Sequence, residues 1–220
     1  MIAEALEMNG LRVGLYTSPH LVRVEERIRL GGKLIPAAAF RRIAGEVRET
    51  SERLRTSGAL EAPPTFFEVL TAIAMLYFRE KKVDIAVFEV GMGGRFDATN
   101  IVTPLVSVIT NIALDHQEYL GDTLGKIAFE KAGIIKPGVP IVTGAESRTA
   151  LKVIRKRAKE EGAFLMTVRG GRTKAAGTEA ELCRDYPFEY QFGFDTFRFT
   201  PGLPGAHQGQ NAAVALGALS

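Results

Sequence analysis

Val83-Asp84-Ile85-Ala86-Val87-Phe88-Glu89-Val90-Gly91-Met92-Gly93-Gly94-Arg95-Phe96-Asp97-Ala98-Thr99-Asn100 is an apolar run that ends in a carboxylate and opens into a loop with three glycines. The run is short and apolar enough to be buried, so it reads as a strand. α/β enzymes place an acid in this way, at the carboxyl end of a parallel strand, and glycines there let backbone come close to a ligand. A plain strand followed by a turn has the same pattern, so the segment takes its meaning from its neighbours.

Upstream, residues 1–9 read as a helix closed by Asn9-Gly10. Leu11 to Tyr16 is a short strand, and Arg27 to Ile35 a hairpin around Gly31-Gly32. Pro36 starts a helix to about Thr56, with Ile43, Val47 and Leu54 on one face. Thr65 caps a second helix, with Glu68 three residues on as in a capping box. Downstream, Leu105 to Thr110 is a strand and Leu120 to Ile135 a helix stopped by Lys136-Pro137-Gly138. Strands at Val139–Thr143 and Ala163–Val168 flank a basic amphipathic helix over residues 147–161. This alternation predicts an α/β fold: a doubly wound, mainly parallel sheet flanked by helices. The aromatic alternation Phe188-Glu189-Tyr190-Gln191-Phe192, with a turn at Gly193-Phe194-Asp195, adds a small antiparallel ribbon near 186–200. The last helix begins around His207 and is still running at Ser220, so it is expected to lack packing partners.

Bulk properties narrow the function classes. With 28 basic and 25 acidic residues the net charge is +3, too balanced to imply nucleic acid. The single cysteine, Cys183, excludes an intrachain disulfide framework and a Cys-rich metal site, and it fits a reducing, cytoplasmic setting. No apolar stretch reaches the roughly 20 residues that span a bilayer, and the first residues lack a basic n-region, so no membrane association is expected.

Three segments place polar groups at strand ends: Ser18, Glu89, and Asn111 to His116. In a parallel sheet these ends share one edge. A hydroxyl, a carboxylate and an imidazole converging there suit a divalent ion beside a nucleotide phosphate. Taken singly, each is also an ordinary turn or loop residue. Lys131 lies in a largely apolar helix, where it either snorkels to solvent or, if buried, offers a neutral amine. Thr65-Phe66-Phe67-Glu68 is either core packing at a helix start or a stacking wall for a flat heterocycle. Pro204-Gly205-Ala206-His207-Gln208 and Asn211 either cap a helix or hydrogen-bond a base or phosphate. The chain contains no Gly-x-x-x-x-Gly-Lys-Ser/Thr, His-Glu-x-x-His, Gly-x-Ser-x-Gly or Cys-x-x-Cys.

Together, Tyr16-Thr17-Ser18-Pro19-His20-Leu21, Glu25-Glu26-Arg27-Ile28, Thr65 to Glu68, Glu89 to Asn100, Thr110 to His116, Leu120 to Thr123 and Ile127 to Gly138 resemble folylpolyglutamate synthase. That family is often bifunctional as dihydrofolate synthase and is a branch of the Mur ligase superfamily. The resemblance spans essentially the whole chain and is to the central, P-loop-NTPase-like ATPase domain. It implies that ATP phosphorylates a carboxylate of folate or dihydropteroate and that L-glutamate attacks the acyl phosphate. It implies two magnesium ions held by Ser18, Glu89 and His116, with Lys131 carbamylated as a ligand of the second; Lys131, Glu89 and His116 are then the catalytic set. Thr65, Phe66, Phe67, Glu68, Phe96, Asp97 and Ala98 match the pterin-side pocket, and Asn211 the asparagine that meets the ATP adenine. Family members carry Gly-Thr-Asn-Gly-Lys-Gly-Ser directly before the helix that here begins at Met1. The resemblance therefore implies that residues 1–220 are an incomplete central domain, with the P-loop upstream and a C-terminal glutamate-binding domain beyond Ser220. The intact enzyme is then expected to be a monomer and the isolated chain inactive. The alternatives are another Mur-type ligase acting on a cell-wall precursor, or a non-catalytic homologue.

Overall fold

The structure, a computed structural model, describes residues 1–168, 171–172, 188–192, 195–199 and 206–220. They form two units, Met1–Val102 and Thr103–Ser220. The first unit starts with helix α1 (Ile2–Met8) and strand β1 (Val13–Tyr16). A 3-10 turn at Val24–Arg27 leads into β2 (Ile28–Leu30) and β3 (Lys33–Leu34), which form the predicted hairpin with Leu30 opposite Lys33. Helices α2 (Ala37–Thr56) and α3 (Phe66–Lys81) precede β4 (Ile85–Phe88). The predicted capping box at α3 is present: the Thr65 hydroxyl accepts from the Glu68 amide, and the Glu68 carboxylate accepts from the Thr65 amide at 2.6 Å.

The sheet order is β3-β2-β1-β4, with β1 antiparallel to β2 and parallel to β4. β4 closes one end of this sheet, so its residues are half-buried and not fully buried as their composition suggested. The core gathers Tyr16, Ile28, Ile43, Leu70, Ile73 and Phe78 around β1, α2 and α3. Each such side chain contributes about 2 kcal/mol by leaving water. On α2, Ile43 is buried but Leu54 is 41% exposed, because the last turns of that helix extend past the core.

The second unit contains β5 (Ser107–Ile109), α4 (Gln117–Leu120), α5 (Leu124–Ala132), β6 (Ile141–Thr143), α6 (Arg148–Glu160) and β7 (Leu165–Thr167). β5, β6 and β7 are parallel neighbours. Then come β8 (Gly171–Arg172), β9 (Phe188–Phe192), β10 (Asp195–Phe199) and α7 (Ala206–Leu219). β9 and β10 make the predicted antiparallel ribbon, with Phe188 opposite Phe199. Cys183 and the turn residues 193–194 lie outside the described residues.

Two expectations need correction here. The helix predicted over Leu120–Ile135 is shorter: it is α5, Leu124–Ala132, and Leu120 instead ends the separate one-turn α4. Gly121 sits at φ +99°, a conformation that favours glycine, and Thr123 restarts the chain as α5 by accepting from the Lys126 amide. The last helix does have partners: Ala213 and Val214 of α7 are buried with Val142 and Val168. Small residues on α7 let it lie close to β5 and β6. The α/β class with parallel pairing and a small antiparallel ribbon stands, but hydrogen bonding divides the strands among three sheets. Alternation in sequence reports which elements exist, not which edges pair. Among the described residues, no helix is long and apolar enough to cross a membrane.

Candidate functional site

The register of β1 and β4 builds the first half of the site. Tyr16 lies opposite Phe88, and the Glu89 amide donates to the Tyr16 carbonyl at 2.9 Å, so both chains leave the sheet side by side. One step further, the Ser18 amide donates to Glu89 Oε2 at 2.8 Å. The Ser18–Pro19 peptide is cis. Ser18 is half-buried and Glu89 exposed, so a hydroxyl-bearing residue and a carboxylate, joined through the Ser18 amide, share one strand end with access to solvent. Hard oxygen donors of this kind fit magnesium, which takes one or two carboxylates and fills its remaining positions with water or phosphate oxygens.

The glycine loop beyond Glu89 is organised by Asp97. Its Oδ2 accepts from the Gly91 and Met92 amides, each at 3.0 Å, and its Oδ1 from the Thr99 amide at 2.9 Å and the Thr99 hydroxyl at 2.5 Å. Asp97 also caps the 3-10 turn Ala98–Ile101, in which Ala98 is half-buried. Gly91 is required by close approach: a Cβ there would collide with the Phe67 ring. Phe67 in turn lies 5.9 Å from the Tyr16 ring, centroid to centroid. Burial pushes the Tyr16 phenol above its ordinary pKa, against the lowering effect of its hydrogen bond with Thr71.

Of the seven residues matched to a pterin pocket, Phe67 and Ala98 are half-buried and the other five divide in two. Phe66 is 62% exposed, with the Arg27 guanidinium 5.7 Å from its ring centroid. Phe96 is 82% exposed, with the Arg95 guanidinium 4.1 Å from its ring. These two present aromatic faces. Thr65, Glu68 and Asp97 face their own backbone: the Thr65 amide and hydroxyl hold the Glu68 carboxyl below its ordinary pKa.

His116, Lys131 and Asn211 belong to the second unit. His116 has a left-handed φ of +48° at the start of α4, where its amide donates to Asp115 Oδ1 at 2.8 Å. Its side chain is 54% exposed, with Nε2 3.7 Å from Asp115 Oδ2. Lys131 is half-buried in the last turn of α5. Asn211 is half-buried on α7, and its amide donates to Gln208 Oε1 at 3.1 Å. Among the described residues there is no cluster of three or more His, Cys, Asp or Glu that could hold a metal. The proposed ligand set needs none, since Glu89 and His116 are its only members of those types.

Some organising roles were absent from the sequence reading. The hub function of Asp97 was visible in the spacing Asp97-Ala98-Thr99, which favours a capped turn. Glu26 collects three backbone amides, a role its position three residues after Arg23 hints at. Gln210 Nε2 donates to the carbonyls of Gly144 at 3.3 Å and Val168 at 3.1 Å, tying α7 to the ends of β6 and β7, and no local signal announces that.

Over residues 39–219 the chain matches the Mur ligase middle domain. It is 52% identical over 143 residues to the folylpolyglutamate synthase of Lacticaseibacillus casei, covering 65% of this chain and 33% of that protein. It is 39% identical to the dihydrofolate synthase/folylpolyglutamate synthase of Bacillus subtilis strain 168, covering 98% of this chain and 50% of that protein. A solved FPGS-AMPPCP-folate complex matches 99% of this chain and 52% of its own, at 40% identity and a TM-score of 0.88. The chain spans half or less of the length of these two curated relatives. With the middle domain matched along most of its length, the chain belongs to the Mur ligase family.

Proposed function

We propose that residues 1–220 are a Mur ligase-type central ATPase domain, and that the whole protein joins L-glutamate to folate or dihydropteroate using ATP. The observation that carries this reading is the Ser18–Glu89 pair, at adjacent parallel strand ends, in a chain 40% identical to a synthase solved with AMPPCP and folate. A carboxylate is a poor electrophile and repels the γ-phosphate. Transfer of the γ-phosphoryl to a carboxylate oxygen releases ADP and makes an acyl phosphate. The glutamate amine then forms the C–N bond and loses a proton, while phosphate leaves with the C–O electron pair.

Two bound magnesium ions would supply the positive charge that lets carboxylate and phosphate approach. Ser18, Glu89 and His116 are the residues proposed to hold them. Lys131 as an ammonium repels a cation, and carbamylation converts it to an anionic oxygen donor. Phe66, Phe67, Phe96 and Ala98 are proposed to face the pteridine, with Thr65, Glu68 and Asp97 shaping the backbone that carries them. Asn211 is assigned to the adenine. A monomeric cytoplasmic enzyme fits the single cysteine and the balanced charge.

The test incubates the whole protein with ATP, L-glutamate and, in separate arms, dihydropteroate or tetrahydrofolate, and reads ADP release and product mass. The expected result is a gain of one glutamyl residue in at least one arm. Failure in both arms, with turnover on a cell-wall nucleotide precursor, replaces this reading with the other Mur-type one. Glu89→Gln is expected to lower kcat at least about 100-fold. The 220 residues by themselves are expected to show no turnover, because their sequence has no phosphate-cradling glycine–lysine run.

A further inference from the structure

We propose that Glu26 and Arg27 are positioning residues that hold the Ser18 loop in its ion-binding shape, an inference that rests on Ser18 and Glu89 holding a divalent ion. Residues 17–23 connect β1 to the 3-10 turn, and their side chains do not explain their shape. Leu21 is 92% exposed and Val22 is 83% exposed, so apolar burial does not fix the loop. Hydrogen bonds to two consecutive residues do. Glu26 Oε2 accepts from the Leu21 amide at 2.8 Å, and Oε1 from the amides of Val22 at 3.1 Å and Arg23 at 2.8 Å. Arg27 works through backbone and side chain together. Its carbonyl accepts from the Thr17 amide at 2.9 Å, and its Nε donates to His20 Nδ1 at 2.9 Å.

The two residues therefore pin Thr17, His20, Leu21, Val22 and Arg23, leaving Ser18 and Pro19 between fixed points. Pro19 has no amide hydrogen, and the Ser18 amide is taken by Glu89. The Ser18 hydroxyl is thus carried on a segment whose amides at Thr17, Ser18, Leu21, Val22 and Arg23 are already bonded. Arg27 is a rigid anchor for this purpose. It is only 9% exposed, and its guanidinium lies beside His20 Nδ1, the Tyr16 phenol and the Phe66 ring. A buried guanidinium is costly unless its N–H groups are bonded, and its planar fork loses little freedom when they are. Because Arg27 occupies Nδ1 as an acceptor, the neutral His20 ring carries its hydrogen on Nε2.

The experiment uses the 220-residue chain with Mn²⁺ as the probe, read by paramagnetic broadening of amide signals, alongside amide hydrogen exchange. In Glu26→Gln, one carboxylate oxygen becomes an NH₂ facing an amide hydrogen. The expected result is exchange about tenfold faster at Leu21–Arg23, unchanged exchange in β1 and α3, and Mn²⁺ affinity lowered about tenfold. Faster exchange with unchanged Mn²⁺ affinity overturns the proposal, since the clamp is then structural only. Unchanged exchange also overturns it. A wild-type chain with no broadening near Ser18 overturns the ion site itself and the proposal with it. Arg27→Lys is the second variant, and it leaves the three Glu26 bonds in place. It is expected to weaken Mn²⁺ binding a few-fold and to turn the single His20 tautomer, seen in ring ¹⁵N shifts, into a mixture. An unchanged His20 tautomer with unchanged Mn²⁺ binding overturns the assignment of Arg27.

Discussion

The loop after β4 spends one carboxylate, Asp97, on four hydrogen bonds that reach from Gly91 to Thr99, whereas in the loop after β5, among the described residues, the side-chain hydrogen bonds join neighbours and the buried Ile112 is its anchor in the core. In the second loop the Asn111 side chain takes the Ile112 amide and the Asp115 side chain takes the His116 amide. Neither bond spans that loop, and residues 113–119 are exposed. The first loop is shaped before any ligand arrives. Under the role proposed for His116, the second, exposed over residues 113–119, leaves the cost of fixing that side chain to the binding step. Two loops that each follow a parallel strand can thus differ in how far their own hydrogen bonds shape them.

This contrast can be broken most directly at its hub. Asp97→Ala removes an ionised acceptor from three amides and a hydroxyl, and it is expected to cost about 3 kcal/mol in urea denaturation of the chain. A loss near zero would show that the glycine loop is held by packing against Phe67 alone. A smaller effect is expected at the helix that carries the aromatic pair. Thr65→Ala is expected to cost about 1 kcal/mol by loss of the cap. It also carries a pH signature. The Glu68 carboxyl is held below its ordinary pKa in the folded state, so its stabilisation is present above the unfolded value and lost as pH falls through the folded value. Wild-type stability should therefore decline on the acid side more steeply than that of Thr65→Ala. At the other pole, Asp115→Ala is expected to leave the denaturation midpoint unchanged, since its carboxylate is 73% exposed and bonds only its neighbour. A destabilisation comparable to that of Asp97→Ala would erase the contrast.

Much of this was legible in the chain because short-range chemistry writes itself into short-range sequence. The strand–carboxylate–glycine order around Glu89 foretold a parallel strand end, which lies beside Ser18, and Thr65 with Glu68 announced a capping box that is present. The Gly121 break went unread because Leu120 and Leu124, four residues apart, fit one helical face, and only the backbone conformation at Gly121 separates them. The roles of Glu26 and Gln210 were hidden for a different reason. Both act by bonding backbone groups, and backbone carries no residue code. For Gln210 the carbonyls lie 66 and 42 positions away, so nothing local could have signalled the contact.

The close approach of Gly91 to Phe67 has a consequence for what this surface can accommodate. Phe67 cannot retreat toward β4, since the loop backbone already stands against its ring, and Tyr16 blocks it on another side. Under the pteridine-facing role proposed for these residues, a thicker guest is admitted by displacement of the outer aromatics, Phe66 and Phe96, which have solvent to move into. The wall is thus hard on its inner side and compliant on its outer side. Changes that broaden the range of ligands should accumulate at positions 66 and 96, while position 67 stays fixed.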